Sequence, residues 1–238
     1  MRFESYAQEF EDLILYCALK DVMKGNDGFY IDVGANDPTN MSVTKFFYDR
    51  GWHGINIEPL ATECSLLIEK RPRDINLCIG LGKETGKIEL LGLGALATFS
   101  DETASKWTAP NIPRRWKRIL TLSEVHEKYC EPNQDIHFCK IDVEGFEREV
   151  LEGIKDWKKF RPWIFAIEAA LPGTNIPCHD KWEDILVDND YTLALDFGVN
   201  RYYVDIEREY LSKGFQKIGQ FVEQNEIVKM VMQRVSFK

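Results

Sequence analysis

Apolar residues recur at helical spacing between positions 7 and 23. Phe10, Leu13, Ile14, Cys17 and Val22 fall on one side of a helical wheel, which predicts an amphipathic helix. Lys24-Gly25-Asn26-Asp27-Gly28 is its expected end. The period then changes. Phe29–Val33 (FYIDV) is a short apolar run of strand formers, followed by a Gly34–Pro38 turn and a predicted helix over Thr39–Arg50. Gly54–Glu58 reads as a second strand stopped by Pro59, Thr62–Lys70 as helix, and Ile75–Ile79 as a third strand. Gly-rich turns and a hairpin strand, KIELLGL, come next. Over residues 92–116 the periodicity fades, and this stretch, with Trp107 and Trp116, is expected to be a long lid or substrate loop. Ile136–Val143 is a strand, Phe146–Gly153 a helix, and Trp163–Ala169 a strand. A Pro/Gly loop at Leu171–Cys178 leads to a helix over His179–Asn189. Tyr191–Phe197 and Asn200–Ile206 form a predicted hairpin around Gly198.

This alternation of strand and helix argues for right-handed βαβ units and a mostly parallel sheet with an antiparallel edge. No repeat, low-complexity tract or linker interrupts it, so residues 1–238 read as a single domain. With 238 residues, the chain buries enough surface to fold without a staple. Its 39 acidic against 30 basic residues leave a net charge of -9, which argues against non-specific binding to nucleic acid or anionic membrane, a local basic patch aside. The six cysteines are scattered, without a Cys-x-x-Cys pair, and are expected to be reduced thiols in a cytoplasm. The polar, acidic start is not a signal peptide, and no apolar stretch approaches a membrane span.

The first candidate chemistry is FYIDVGAND. Asp32 ends the first strand, and Gly34 would let a ligand approach the backbone closely, at the strand edge where open α/β sheets bind ligands. The plainer reading of Asp32 is a turn cap. The motif lacks the later glycines that a pyrophosphate needs, and its leading acid suits a cationic group. Glu58 ends the second strand, 26 residues after Asp32, where an acid can accept from a ribose diol; a surface acid before Pro59 is the alternative. In KIDVEGFE, alternation puts Lys140 and Asp142 on one side of a strand, with Glu144 and Glu147 at the helix start. Glu147 is read as complementing the helix dipole. Glu168 takes the equivalent place one strand over, and Asp142 and Glu168 could share a divalent metal or a substrate hydroxyl. His179 lies beyond the strand edges and is a candidate general base. Tyr16 and Lys20 mimic a dehydrogenase pair but precede the first strand, and carry little weight.

Six blocks in order resemble the FkbM family of S-adenosylmethionine-dependent methyltransferases: SYAQEFEDLIL (Ser5–Leu15), FYIDVGANDP with SVTKFFYDRGWHGINIEP (Ser42–Pro59), IHFCKIDVEGFEREVLEG, RPWIFAIEA, PCHDKWEDIL and NRYYV. The resemblance implies a Rossmann-like, seven-stranded class I methyltransferase fold in the α/β class. It implies S-adenosylmethionine on Asp32, Gly34, Ala35, Asn36, Ser42, Glu58, Ile79 and Asp142, capped by Gln8, Glu11 and Asp12 of the N-terminal helix (residues 1–28). Asp142, Glu168, Lys140 and His179 are then the catalytic candidates, and Glu144, Asn200 and Arg201 the substrate contacts. The expected reaction is methyl transfer to a hydroxyl of a sugar or glycan in polysaccharide assembly, with a homo-oligomer or glycan assembly enzymes as partners. Glu9 and Phe146 depart from the family pattern. A silent cofactor-binding scaffold and a nucleotide-cofactor oxidoreductase are the rival functions.

Overall fold

The computed structural model describes residues 4–22, 27–107 and 111–224. Most of the predicted helix end at Lys24–Gly28 lies outside them. The first half runs α1 (Glu11–Leu19), β1 (Phe29–Val33), α2 (Lys45–Tyr48), β2 (His53–Ile57), α3 (Ala61–Lys70), β3 (Ile75–Leu77), β4 (Gly80–Leu81), β5 (Gly86–Leu91) and α4 (Asp101–Ser105). The second runs β6 (Arg114–Leu120), α5 (Leu122–Tyr129), β7 (Phe138–Ile141), α6 (Glu147–Glu152), β8 (Ile164–Glu168), α7 (Glu183–Val187), β9 (Tyr191–Phe197), β10 (Asn200–Asp205) and α8 (Ser212–Gln224). Seven strands form one sheet in the order β3-β2-β1-β7-β8-β10-β9. The five strands from β3 to β8 are parallel, and β10 runs antiparallel to both β8 and β9. This is the Rossmann-like sheet expected, with its antiparallel edge.

Both faces of the sheet are covered, which is why β1 reads as an unbroken apolar run and is buried throughout. Phe29, Ile31 and Val33 join Ile141, Leu151, Trp182 and Leu186 in one core. Tyr30 faces the opposite way, toward Ile14 of α1, Phe46 and Phe47 of α2, and Phe215 of α8. Parity therefore assigns each polar residue at a strand end to a face. Asp32 shares the face of Tyr30 and sits opposite Lys140 in register.

Two early helices are shorter than their apolar patterns. Before α1, the Asp12 carboxylate accepts from Tyr6 N (2.8 Å) and Glu11 accepts from Glu9 N (2.7 Å), so residues 6–10 curl back instead of continuing the helix. Before α2, Asp37 Oδ1 accepts from the backbone N–H of Thr39 and Asn40, and Met41 is left-handed at φ 55°.

The expected lid over 92–116 is only partly a loop. One 3₁₀ turn and α4 lie within it, and its last residues belong to β6, which pairs antiparallel with β5 and, through Ile119 and Leu120, parallel with β4. The small sheet is thus an insert between β3 and β7. α5, started by a reciprocal Thr121–Glu124 capping box, and α8 have no counterpart in the sequence reading.

One expectation is overturned. Cys64 and Cys78 are joined in a disulfide with Cα atoms 5.6 Å apart, while Cys17, Cys130, Cys139 and Cys178 are free. The α3–β3 hairpin brings the pair together across 14 residues, a proximity that spacing alone does not display. No helix among the described residues is long and apolar enough to cross a membrane.

Candidate active site

The carboxyl ends of β1, β2, β7 and β8 open into a cavity of about 1020 Å³. Its floor is Gly34-Ala35-Asn36, Glu58-Pro59-Leu60, Asp142–Glu144 and Glu168. Its walls come from Ala7–Glu9 and Glu11, the Gly94–Ala97 turn with Phe99, Gly173–Asn175, and Val199–Asn200.

Gly34 is required here. Its φ is +76°, and a Cβ would meet the Asp142 carbonyl oxygen at 1.9 Å. Only a bare backbone lets the β1 and β7 turns lie this close. Glu58 is buried, with Oε2 accepting from Asn36 N (2.9 Å) and Oε1 from Leu60 N (2.7 Å). Burial pushes its carboxyl up to about 7, against those two N–H donors, which pull it down. Glu58 thus ties the β1 and β2 turns together and keeps lone pairs facing the cavity.

Lys140 also lines the cavity and is the electrostatic centre of its floor. Its ammonium donates to Gly34 O (2.8 Å) and lies 3.5 Å from Asp32 and 3.4 Å from Asp142. Burial pulls its proton affinity down, but the two carboxylates outweigh it and the net shift is upward. Asp32 is almost fully buried and also accepts from Thr44 Oγ1 (2.9 Å). It supports the floor from below and is not part of the lining.

Asp142, Glu144 and Glu168 form an acidic triad, with one oxygen from each within 4.8 Å of the others. Glu144 reaches the other two through a left-handed backbone at φ 56°, where Thr98 Oγ1 donates to its carbonyl (2.8 Å). The inserted segment thereby fixes a residue of the site. One carboxylate oxygen each of Glu144 and Glu168 is buried without a hydrogen-bond partner among the described residues. Burial, then repulsion from Asp142 and Glu147, pushes Glu144 up to about 8. Burial and repulsion from Asp142, Glu144 and Glu147 push Glu168 well above the carboxylate range. The triad could hold a divalent cation or a shared proton.

Not every predicted residue arrives. Of the N-terminal block, Gln8 and Glu11 line the cavity, but the Asp12 carboxylate is taken by Ser5 Oγ (2.6 Å), Tyr6 N and Leu13 N. Ser42 instead accepts from Arg71 (3.0 Å), a buried guanidinium that also donates twice to Pro38 O. Ile79 packs against the core. Asn200 lines the cavity and donates to Glu11 (3.1 Å). Arg201, one residue on, has the opposite parity and pairs with Glu183 and Asp196. His179 is absent from the lining that holds the triad, and its Nδ1 is buried without a hydrogen-bond partner among the described residues. Glu147 accepts from Val143 N (3.2 Å) and Gly145 N (3.1 Å), holding the turn that carries Glu144.

Glu9, Thr174, Asn175 and Phe99 line the cavity without having been foreseen. Glu9 accepts from Val199 N (2.7 Å) and so straps the N-terminal segment to the β9–β10 turn. Its departure from the family pattern was the one available signal.

A sequence profile of the methyltransferase FkbM domain matches residues 32–193, more than half of the chain. The chain belongs to the FkbM methyltransferase family. The match leaves out Ser5–Leu15 and Asn200–Val204, two of the six blocks that carried the resemblance. Among solved structures, a methyltransferase FkbM from Methylobacillus flagellatus KT, a 2.20 Å crystal structure, superposes with a TM-score of 0.51 at 14% identity. The alignment covers 83% of this chain and 50% of that one, so this FkbM chain spans about half the length of that relative. At this identity the likeness is one of fold. A search of curated proteins returned no match.

Proposed function

We propose that this chain is an S-adenosylmethionine-dependent O-methyltransferase that methylates a sugar hydroxyl in glycan or polysaccharide assembly. The supporting observation is one cavity that joins Glu58, at the end of β2, to the Asp142–Glu144–Glu168 triad across the Gly34 turn. The donor set fits the cofactor. Glu58 would accept from ribose hydroxyls, the Gly34–Asn36 backbone would lie against the rest, and Glu11 and Asp142 offer negative charge to its cationic amino-acid end. S-adenosylmethionine supplies a methyl group on a sulfonium, which needs no covalent enzyme intermediate.

The protein aligns the acceptor oxygen and takes its proton. Glu168 and Glu144, carboxylates whose proton affinity is raised toward neutral pH and above, fit the role of general base better than His179 does. Asn200, Thr174 and Asn175 offer polar contacts to a hydroxyl-rich acceptor.

A second reading has its own support. Glu144 supplies the third carboxylate that two acids alone lack, so the triad could bind Mg²⁺ or Mn²⁺ and lower the pKa of the acceptor hydroxyl. Label transfer from methyl-labelled S-adenosylmethionine to sugars, nucleotide sugars and lipid-linked glycans tests the reaction. Label on a sugar oxygen, lost in Glu168→Gln, supports it; label on nitrogen or sulfur only, or on none of these acceptors while cofactor binds, contradicts it. Chelation that abolishes transfer, with rescue by Mg²⁺, selects the metal route; an unchanged rate selects the shared proton.

A further inference from the structure

The β5 and β6 strands lie outside the cavity lining. β6 pairs with β4 only at Ile119 and Leu120, so Arg114–Arg118 pairs with β5 alone and keeps an open edge. That segment reads Arg-Arg-Trp-Lys-Arg, four cations and no acid, in a chain of net charge -9. Opposed residues share a face, which puts Trp116 and Arg118 with Glu89 and Lys87, and Arg115 and Lys117 with Leu90 and Ile88. Arg114 is paired with Glu89 at 3.1 Å, and Arg118 lies within electrostatic reach of Glu124. Arg115, Lys117 and Arg118 make no ion pair within 4.0 Å among the described residues. Trp116 is 67% exposed.

The same end of the arm bears apolar side chains. Gly92 N donates to Pro113 O (2.9 Å), and the turn just beyond carries Leu93 and Leu96, 57% and 51% exposed. Leu96 also lines the cavity wall. Charge of either sign would guard an open edge, but edge protection does not call for an exposed Trp among the cations. A soluble polyanion would engage the cations and the indole, and would leave Leu93 and Leu96 in water.

We propose that the β5–β6 arm and the Leu93–Leu96 turn dock the protein on the surface of an anionic lipid bilayer. The open β6 edge meets the bilayer, so that Arg115 and Lys117 from one face and Arg118 from the other reach the headgroup phosphates, Trp116 sits at headgroup level, and the two leucines enter the acyl boundary. The acidic remainder of the molecule does not cancel the patch, because screening limits its repulsion to about 8 Å at physiological ionic strength. The cavity wall at Leu96 then lies beside the membrane. This inference stands apart from the reaction, since docking needs neither cofactor nor acceptor.

The test is co-sedimentation of the full chain with phosphatidylcholine vesicles, with and without phosphatidylglycerol. Binding is expected only where phosphatidylglycerol is present, and is expected to disappear in high salt. At about fivefold per cation, R115Q/K117Q/R118Q should weaken it roughly a hundredfold. L93S/L96S should weaken it while leaving the salt dependence in place. Unchanged circular dichroism and Tm would certify that the variants fold. Equal binding to both vesicle types, binding to neither, undiminished binding by the triple variant, or retention on heparin without vesicle binding would each overturn the proposal.

Discussion

Replacing Lys140 by Met should unfold the floor of the cavity before it touches the reaction. The ammonium lies 3.5 Å from an Asp32 oxygen that has no hydrogen bond among the described residues, in a residue only 1% exposed. At an effective dielectric near 20, that separation is worth about 5 kcal/mol of attraction. Asp142, at 3.4 Å, adds less because its side chain is 38% exposed and water shares its charge. Removing one member of a buried pair costs about 3–5 kcal/mol, since the remaining charge is stranded. For a chain of this size that is a fall in Tm of roughly 6–20 °C. The decisive comparison is K140M against D32N/K140M, by urea denaturation at neutral pH. Removing the stranded carboxylate should recover at least half of the loss. A cost below about 1 kcal/mol for K140M, or no recovery in the double variant, would refute the picture of Lys140 as the electrostatic support of the site.

Three further outcomes follow from the same geometry. A base works only when deprotonated, so transfer should rise with pH as the triad loses its proton, with Glu144 near 8. Because Glu144 holds Glu168 up by repulsion, E144Q should move that limb toward acid pH; a limb that stays in place contradicts the coupling. H179A should retain most turnover, since the imidazole is outside the cavity lining, and a thousandfold loss in kcat would return the base role to it. Protein purified without reductant should titrate four thiols when unfolded, and reduction should reveal two more and lower stability by about 3 kcal/mol; six thiols at the start would contradict the Cys64–Cys78 bridge.

The sheet was legible because β1, β2, β7 and β8 are short apolar runs closed by Gly, Pro or an acid. The parallel sheet and its terminal antiparallel hairpin followed from the alternation of strand and helix, while the order of strands in the sheet is set by the tertiary packing. Parity put Lys140 and Asp142 on one side in the sequence; the sheet register adds Glu168 and Asn200 to the face of Asp32 and turns Arg201, an expected substrate contact, to the other. What the chain hid were contacts made through the backbone. Asp12 and Ser42 look like ligand residues, but neighbouring N–H and guanidinium groups claim them. Glu144 looked like a substrate contact at a helix start, and only its left-handed turn and Thr98 bring it into the triad. Of the small sheet only β5 was legible, as the KIELLGL strand; β4 has two residues and the first five of β6 are four cations and a Trp, leaving no hydrophobic period to read. The disulfide depends on the packing of α3 against β3, which residue spacing does not encode.

The central claim is that this cavity holds S-adenosylmethionine by Glu58. Calorimetric titration of S-adenosylhomocysteine into wild type and Glu58→Ala tests it most directly. The account predicts micromolar binding to wild type that falls at least tenfold in the variant, with its fold intact by circular dichroism. No binding to folded wild type, or equal binding to both proteins, would contradict it.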